Sequence, residues 1–251
     1  MDSLQVKDRI NLKLTYSGMD EPFSCLNKKH FNDYKKLVHY TYNGKCNYTY
    51  NSKGFRDEEW PQEIEDKIWC VGDSFTVGIG QPYEEIWPKI LEKKVGERCI
   101  NISEDGCSND LMSLRIEQIK TFNPKCIIVM WSYFWRRWVN NINVHFDVNE
   151  RELPKDDLAN FLKNLQSANN NSPCRIFNYV IPDCMIESTS TWKNMLGIRN
   201  KKNINKLIDY HYPGKQFPVV SEVEQIDYAR DGHHFDILTC EKIVQDILTR
   251  Y

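Results

Sequence analysis

Short apolar runs alternate with amphipathic segments along the chain from Lys67 onward. Four apolar runs contain no charged residue: Ile68–Val71, Cys99–Ile102, Cys126–Met130 and Ile176–Ile181. Apolar residues recur at helical spacing in the segments Tyr83–Val95, Asn109–Phe122, Asp156–Ala168 and Phe235–Arg250. Buried strands separated by helices are typical of a mostly parallel sheet that is covered on both faces. The pattern therefore predicts three layers, α/β/α.

The first sixty or so residues follow a different pattern, rich in Tyr, Asn, Lys and Asp. Turn signals lie at Tyr42–Lys45 and Asn51–Gly54, and polar and apolar residues alternate over Cys46–Tyr50, which indicates hairpins and loops. We therefore predict an N-terminal extension over residues 1–60, followed by a flavodoxin-like three-layer α/β/α sandwich over residues 61–251. Within this domain, Ser188–Gln216 has no sustained apolar period, so we expect an irregular insertion there.

The composition narrows the classes of partner. The 33 Lys and Arg residues nearly balance the 35 Asp and Glu residues, which gives no support for nucleic acid or an anionic membrane as a partner. The chain starts without a basic segment and an apolar core, and no apolar stretch approaches a membrane span, so we expect a cytoplasmic protein. Nine scattered cysteines without a CxxC pair favour reduced thiols over disulfides or zinc.

The first segment with candidate catalytic residues runs from Trp69 to Gly78, from a predicted strand into a turn. Ser74 stands there at the carboxyl end of the strand, where open α/β sheets bind their ligands. Gly72 permits a tight turn, and the serine amide can help to stabilise an oxyanion. Gly-Asp-Ser is also an ordinary turn sequence, so this string alone leaves both interpretations open.

A second string, Tyr228–Asp236, lies just before the last predicted helix. A serine hydroxyl needs a base to take its proton, and the base needs a carboxylate to orient it. Asp231 and His234 are three residues apart in a turn and can reach one another. His233 is adjacent to His234, so the two histidines could instead be metal ligands or solvated polar residues. No Cys or third His stands at ligand spacing, which disfavours a metal site.

Together, the GDSF string near the front of the α/β core and the DGHH string before the last helix resemble the SGNH/GDSL hydrolase family. Asn51–Asp57 is similar to a segment that often precedes the serine block in bacterial members. The resemblance implies a Ser-His-Asp triad that cleaves an ester through an acyl-enzyme, without a metal or cofactor. In it Ser74 is the nucleophile, His234 the general base and Asp231 its orienting partner.

The resemblance also implies an oxyanion hole with donors from three blocks. Ser74 supplies one amide, and Gly106 stands at the position of the glycine in the second block, although a turn glycine before the next helix is the alternative. The third block departs from the family, because Trp131-Ser132-Tyr133 replaces Gly-x-Asn. Ser132 is the predicted replacement donor, and Asn140 or Asn141 is the alternative.

The same departure places aromatic and basic residues at the end of a strand: Trp131, Tyr133, Trp135 and Trp138 with Arg136 and Arg137. Aromatic faces with charged neighbours suit a sugar ring or an anionic acyl group, so we expect Trp131, Tyr133 and Arg136 to bind substrate. In the alternative, the aromatic rings pack beneath the extension and the arginines are solvated.

The sequence leaves three candidate functions, which belong to different classes of protein. The first is an esterase for a small-molecule or glycan ester, and the resemblance suggests an acetyl group on a carbohydrate. The second is a weak or inactive carbohydrate-binding or structural module on the same fold, because the third-block asparagine is missing. The third is nucleotide binding by the Gly72–Gly80 loop, which lacks both GxGxxG and GxxxxGK[ST]. The sequence leaves the oligomeric state open.

Overall fold

The computed structural model describes residues 3–16, 46–140, 142–145, 154–182, 204–229 and 234–251. The strands are β1 Lys13–Tyr16, β2 Cys46–Thr49, β3 Ile68–Val71, β4 Cys99–Asn101, β5 Cys126–Trp131, β6 Arg136–Val139, β7 Ile142–His145, β8 Arg175–Val180 and β9 Val220–Glu222. The α-helices are α1 Ser74–Val77, α2 Trp87–Val95, α3 Asn109–Lys120, α4 Pro154–Asn169, α5 Ile204–His211 and α6 Ile237–Arg250. Short 3-10 turns lie at Lys7–Arg9 and Tyr83–Glu85.

The central sheet has five strands in the order β4-β3-β5-β8-β9, and every neighbouring pair is parallel. In chain order of the five strands this is 2-1-3-4-5, the flavodoxin-like order. The predicted α/β fold class is therefore confirmed. The strand order reverses between β3 and β5, and such a switch point leaves a crevice at the carboxyl ends of the strands.

Helices cover both faces of this sheet. The crossover from β3 to β4 and the crossover from β4 to β5 run in opposite directions, so right-handed connections put α2 and α3 on opposite faces. α6 packs beside α2, and α4 packs beside α3. The core between these layers contains residues of all four apolar runs together with the apolar faces of the helices. Strands β3 and β5 are buried along their whole length.

Two predicted segments differ from the structure. The helix predicted over Tyr83–Val95 begins only at Trp87, because Pro88 lacks an amide hydrogen and is tolerated in a first turn but not in a helix interior. The predicted irregular insertion includes α5, which buries Ile204, Leu207 and Ile208 on one face. A helix of eight residues shows too few turns for its period to stand out in the sequence.

The described part of the N-terminal extension shares the core of the α/β domain. β1 pairs with β2 in antiparallel register, while Leu4, Val6 and Phe55 pack in the main apolar cluster. The Asn51–Gly54 turn is confirmed, because the Gly54 amide donates to the Asn51 carbonyl oxygen over 2.9 Å. The Tyr42–Lys45 turn lies outside the described residues, and the boundary at residue 60 stays a prediction.

The seven cysteines within the described ranges are free thiols, and all but Cys174 are buried. Burial raises the pKa of the Cys107 and Cys240 thiols to about 12, which disfavours their thiolate forms. Among the helices described, none has the length and apolar character needed to cross a bilayer.

Candidate active site

Ser74 is the first residue of α1 and lies just beyond the end of β3. Asp73 caps this helix, since its Oδ1 accepts the Phe75 amide over 3.1 Å. The helix has only four residues and ends at Gly78 in the left-handed conformation. The sequence thus places a nearly buried serine at the carboxyl edge of the sheet, beside the switch point, as the GDSF string predicted.

Gly72 allows α1 to fold back onto the end of β3. A β-carbon at this position would lie 2.1 Å from Thr76 Oγ1 and 3.3 Å from Met130 Cβ. The first of these distances is far inside van der Waals contact, so a larger residue would push α1 away from the sheet. The orientation of Ser74 therefore depends on a glycine two residues before it.

The loop after β4 lies against the turn that contains Ser74. The Ile102 amide donates to the Cys70 carbonyl oxygen over 3.0 Å, and the Glu104 amide donates to the Gly72 carbonyl oxygen over 3.2 Å. These bonds bring the turn that contains Gly106 beside the turn that contains Ser74. No described residue accepts a hydrogen bond from the Ser74 amide or the Gly106 amide.

Ser132 follows β5 and makes a different contact from the one predicted. Its hydroxyl donates to Asp73 Oδ2 over 2.6 Å, and Arg136 Nη1 donates to the same carboxylate oxygen over 2.8 Å and to Ser132 Oγ over 2.7 Å. The single hydroxyl proton of Ser132 is thus engaged by Asp73 rather than held ready for an oxyanion. Ser132 and Arg136 therefore hold Asp73, the carboxylate that caps α1.

Asn109 joins the second block to the third, and the sequence analysis missed this role. Its Oδ1 accepts the Ser132 amide over 2.8 Å, and its Nδ2 donates to the Ser132 carbonyl oxygen over 3.2 Å. The only signal was a polar residue close to Gly106 at a helix start, where a cap is the usual interpretation. Asn140 lies in the exposed turn between β6 and β7, and Asn141 is outside the described residues.

His234 packs against the residue that follows the candidate nucleophile. The centroids of the His234 and Phe75 rings are 4.7 Å apart. The His234 carbonyl oxygen accepts the Ala229 amide over 2.8 Å and Gln225 Nε2 over 3.0 Å, which anchors this segment. Asp231 and His233 lie outside the described residues, so the pairing of Asp231 with His234 stays a prediction.

The three residues predicted to bind substrate separate into two groups. Trp131 is fully buried, donates from Nε1 to Asn178 Oδ1 over 3.0 Å and contacts the Phe161 ring edge-on. Its prediction as a substrate contact was wrong, because β5 is the middle strand of the sheet and α4 covers that position. Tyr133 and Arg136, by contrast, lie beside the turn that contains Ser74.

Tyr133 and Arg136 belong to a nearly buried aromatic cluster. The Tyr133 ring meets Phe75 edge-on at 6.4 Å and stacks on Trp135 at 5.3 Å, and the Arg136 guanidinium lies 4.9 Å from the Tyr133 centroid. The alternative of solvated arginines is also wrong, because Arg137 pairs with Asp157 and Arg136 pairs with Asp73. Arg136 is fixed by the capping carboxylate.

A cleft of about 680 Å³ borders Gly106. It is enclosed by the N-terminal segment Ser3–Asp8, the start of α3 and the β6–β7 hairpin, and Trp138, Ile142 and Asn143 line it from the hairpin side. The hairpin is anchored to the second block, because Asn143 Oδ1 accepts the Ser108 amide over 3.0 Å. The sequence analysis predicted neither this hairpin nor the cleft.

A serine that begins a helix at the switch point of a parallel sheet, with a histidine ring against its neighbour, defines an α/β protein with a candidate nucleophile. No protein-family model matches the chain, and no curated protein matches it in sequence.

The chain is similar to solved structures of GDSL-type lipolytic proteins and carbohydrate esterases. A member of the lipolytic G-D-S-L family from Veillonella parvula is 18% identical, with 74% of this chain and 99% of that chain covered and a TM-score of 0.40. A lipase/acylhydrolase from Enterococcus faecalis is 12% identical, with 74% and 96% covered and a TM-score of 0.43. A family two carbohydrate esterase from Clostridium thermocellum, in complex with cellohexaose, is 13% identical, with 77% and 66% covered and a TM-score of 0.46.

Proposed function

We propose that this protein is a serine ester hydrolase in which Ser74 is the nucleophile, His234 the general base and Asp231 the carboxylate that orients it. The observation that carries the proposal is the placement of Ser74 at the start of α1 with the His234 ring 4.7 Å from the ring of adjacent Phe75. Acyl transfer needs a base close to a serine at the carboxyl edge of such a sheet, and the contact of His234 with the residue after Ser74 supports this arrangement.

In the proposed reaction, His234 takes the Ser74 hydroxyl proton as Oγ attacks the ester carbonyl carbon. The tetrahedral oxyanion receives hydrogen bonds from the amides of Ser74 and Gly106, neither of which has an acceptor among the described residues. His234 then protonates the leaving alcohol, and water cleaves the acyl-enzyme by the same route in reverse. During the whole reaction, Asp73 keeps α1 in place by accepting hydrogen bonds from the Phe75 amide, Ser132 and Arg136.

Labelling with a fluorophosphonate, followed by peptide mapping, tests the nucleophile. We expect modification at Ser74 alone, and we expect Ser74→Ala and His234→Ala each to remove most hydrolysis of a short-chain aryl ester. The double variant should be scarcely slower than either single variant, because triad residues act as a unit. His233→Ala is the control and should have the milder effect. Labelling elsewhere, or an essential His233 beside a dispensable His234, would contradict the assignment.

A second candidate function is a catalytically weak or inactive carbohydrate-binding module. It is favoured by one observation, the absence of the third-block asparagine together with the engagement of the Ser132 proton by Asp73. Loss of one oxyanion donor costs about 100-fold or more in kcat in other serine hydrolases. The same labelling experiment separates the two functions, since an inactive module leaves Ser74 unmodified.

For the substrate, we propose an O-acetylated carbohydrate whose sugar ring lies in the cleft beside Gly106. The cleft offers Trp138 as an aromatic surface and Glu104, Asp105 and Asn143 as polar groups, a combination that suits the apolar and hydroxyl faces of a pyranose. The position of the cleft beside a proposed oxyanion donor supports its use for the alcohol part of the ester.

We expect Trp138→Ala to raise KM for an acetylated oligosaccharide by about tenfold, because stacking on the indole is lost. KM for an aryl acetate should stay the same, because that small substrate does not reach the cleft. Tyr210→Ala, at an exposed aromatic residue on α5, is the matched control and should change neither value. Equal effects of Trp138→Ala on both substrates would remove the cleft from the substrate model.

A further inference from the structure

Arg56 is a fully buried residue that contacts the far end of the nucleophile helix. Its Nη1 donates to the carbonyl oxygens of Val77 over 2.9 Å and Gly78 over 2.6 Å, and its Nη2 donates to the Gln81 carbonyl oxygen over 2.7 Å. These acceptors are the last residue of α1 and the turn that follows it. One guanidinium therefore donates hydrogen bonds to three carbonyl groups of the segment that begins with Ser74.

The charge of Arg56 has no carboxylate partner among the described residues. The guanidinium lies 4.0 Å from the centroid of the Tyr48 ring, and Tyr48 Oη accepts the Gly80 amide over 2.7 Å. Burial lowers the pKa of this guanidinium. Arg115, the other fully buried arginine among the residues that the structure describes, pairs with Glu104. Buried arginines usually have such an acid, so Arg56 is unusual in having carbonyl oxygens and an aromatic face instead.

This arrangement matters because α1 is too short to be stable by itself. A helix of four residues spans about 6 Å and leaves most of its terminal carbonyl groups without intrahelical partners. A cation is stabilising at that end of a helix. Asp73 holds the first turn of α1, while Arg56 holds its last residue and the next turn, so a shift at Gly78 is transmitted directly to Ser74.

We propose that Arg56 is a positioning residue for Ser74, which it acts on by holding the carbonyl end of α1. The role rests on the proposed function of Ser74 as the nucleophile. The proposal also gives a role to the Asn51–Asp57 segment of the N-terminal extension, which contacts the end of α1 through Arg56. Arg56 itself touches no reacting atom in this proposal.

The test compares Arg56→Met with Arg98→Met, a control that removes another largely buried arginine whose ion pairs are with Asp57 and Glu92. The rate of fluorophosphonate labelling at Ser74 is measured per folded molecule, with the folded fraction taken from urea unfolding. We expect Arg56→Met to label about 10- to 100-fold more slowly than wild type, because small misplacements of a reacting group cost that much. Arg98→Met should label at the wild-type rate.

Amide hydrogen exchange of residues 74–81 supplies a readout that does not depend on activity. We expect faster exchange there in Arg56→Met and unchanged exchange in Arg98→Met. A folded Arg56→Met with wild-type labelling and wild-type exchange would overturn the proposal.

If Arg56→Met does not fold, Arg56→Lys replaces it, because an ammonium keeps the charge but not the fork of donors, and intermediate labelling is then expected. A wild-type protein that is not labelled at all would end the proposed function, while the exchange result would still show whether Arg56 orders the segment.

Discussion

At the scale of single residues, Asp73 connects the start of α1 to the segment that follows β5. Asp73 accepts hydrogen bonds from the Phe75 amide, the Ser132 hydroxyl and Arg136, so this buried carboxylate is fully satisfied. The ion pair joins the turn after β3 to the strand that follows β5. Ser132 and Arg136 thus support α1 through its capping residue, Asp73.

Ser132→Ala tests which role the hydroxyl has. We expect kcat to fall by less than about tenfold and the free energy of unfolding to fall by about 1.5–3 kcal/mol, because one buried hydrogen bond to the charged carboxylate of Asp73 is lost while Arg136 remains. Steady-state kinetics and urea unfolding measure the two values, and Ser132→Thr, which keeps a hydroxyl, is the control. A loss near 100-fold in kcat with unchanged KM would return Ser132 to the oxyanion site, as the sequence suggested.

At the scale of elements, the edge of the sheet that holds Ser74 depends on how tightly α1 packs on β3. Gly72 makes this packing possible, since the space that a β-carbon would occupy is already filled by Thr76. The neighbouring strands then contribute their following loops, with Gly106 after β4 and Ser132 after β5. Three short strands that pair in parallel therefore bring together residues that are about thirty positions apart in the chain.

We expect Gly72→Ala to lower the free energy of unfolding by about 1–3 kcal/mol through overpacking, and to slow labelling of Ser74 at the same time. Gly96→Ala is the matched control: Gly96 has φ +70°, but a β-carbon there meets no atom within 4 Å. It should cost about 1–2 kcal/mol of backbone strain and leave labelling unchanged. Equal labelling rates in the two variants would show that the close approach at Gly72 is irrelevant to the nucleophile.

At the scale of the whole molecule, buried charges join the N-terminal segment to the edge of the sheet. Asp57 accepts hydrogen bonds from Arg98 Nη2 over 2.7 Å, the Asn101 amide over 3.0 Å and Tyr83 Oη over 2.7 Å. Burial nevertheless raises the pKa of Asp57 from 3.8 to about 6. Between about pH 4 and pH 6, the folded protein therefore keeps a proton on Asp57 that the unfolded chain has already lost.

The sign of the resulting pH dependence follows from linkage. Stability from this group is present below about pH 4 and is lost as the pH rises through about 6. We expect the difference in free energy of unfolding between wild type and Asp57→Asn to fall by roughly 2–3 kcal/mol from pH 4 to pH 7. Urea unfolding across this range measures it, and Glu63→Gln controls for removal of an exposed carboxylate. A difference that grows with pH would mean that the Arg98 ion pair outweighs burial.

The sequence by itself determined the layers and the edge of the sheet where chemistry is expected. The apolar runs predicted four of the five parallel strands, because a strand buried on both faces must be apolar throughout. The fifth, β9, has only three residues, and α5 has only eight, so neither repeats its period often enough to stand out in the sequence. Ser74 followed from its position after a buried strand, and His234 from the resemblance together with its place before the last helix.

Only the tertiary structure decided the contacts between distant segments. Local pattern cannot show that Ser132 donates to Asp73, that Asn109 clamps the loop after β5, or that Arg56 reaches the end of α1, because each bond joins segments 20 or more residues apart. Nor can it show that Trp131 faces α4 instead of the cleft, since aromatic residues suit both a core and a binding surface. Burial and the partner of each polar group are set by how the layers pack, and that packing determines what each of these residues can do.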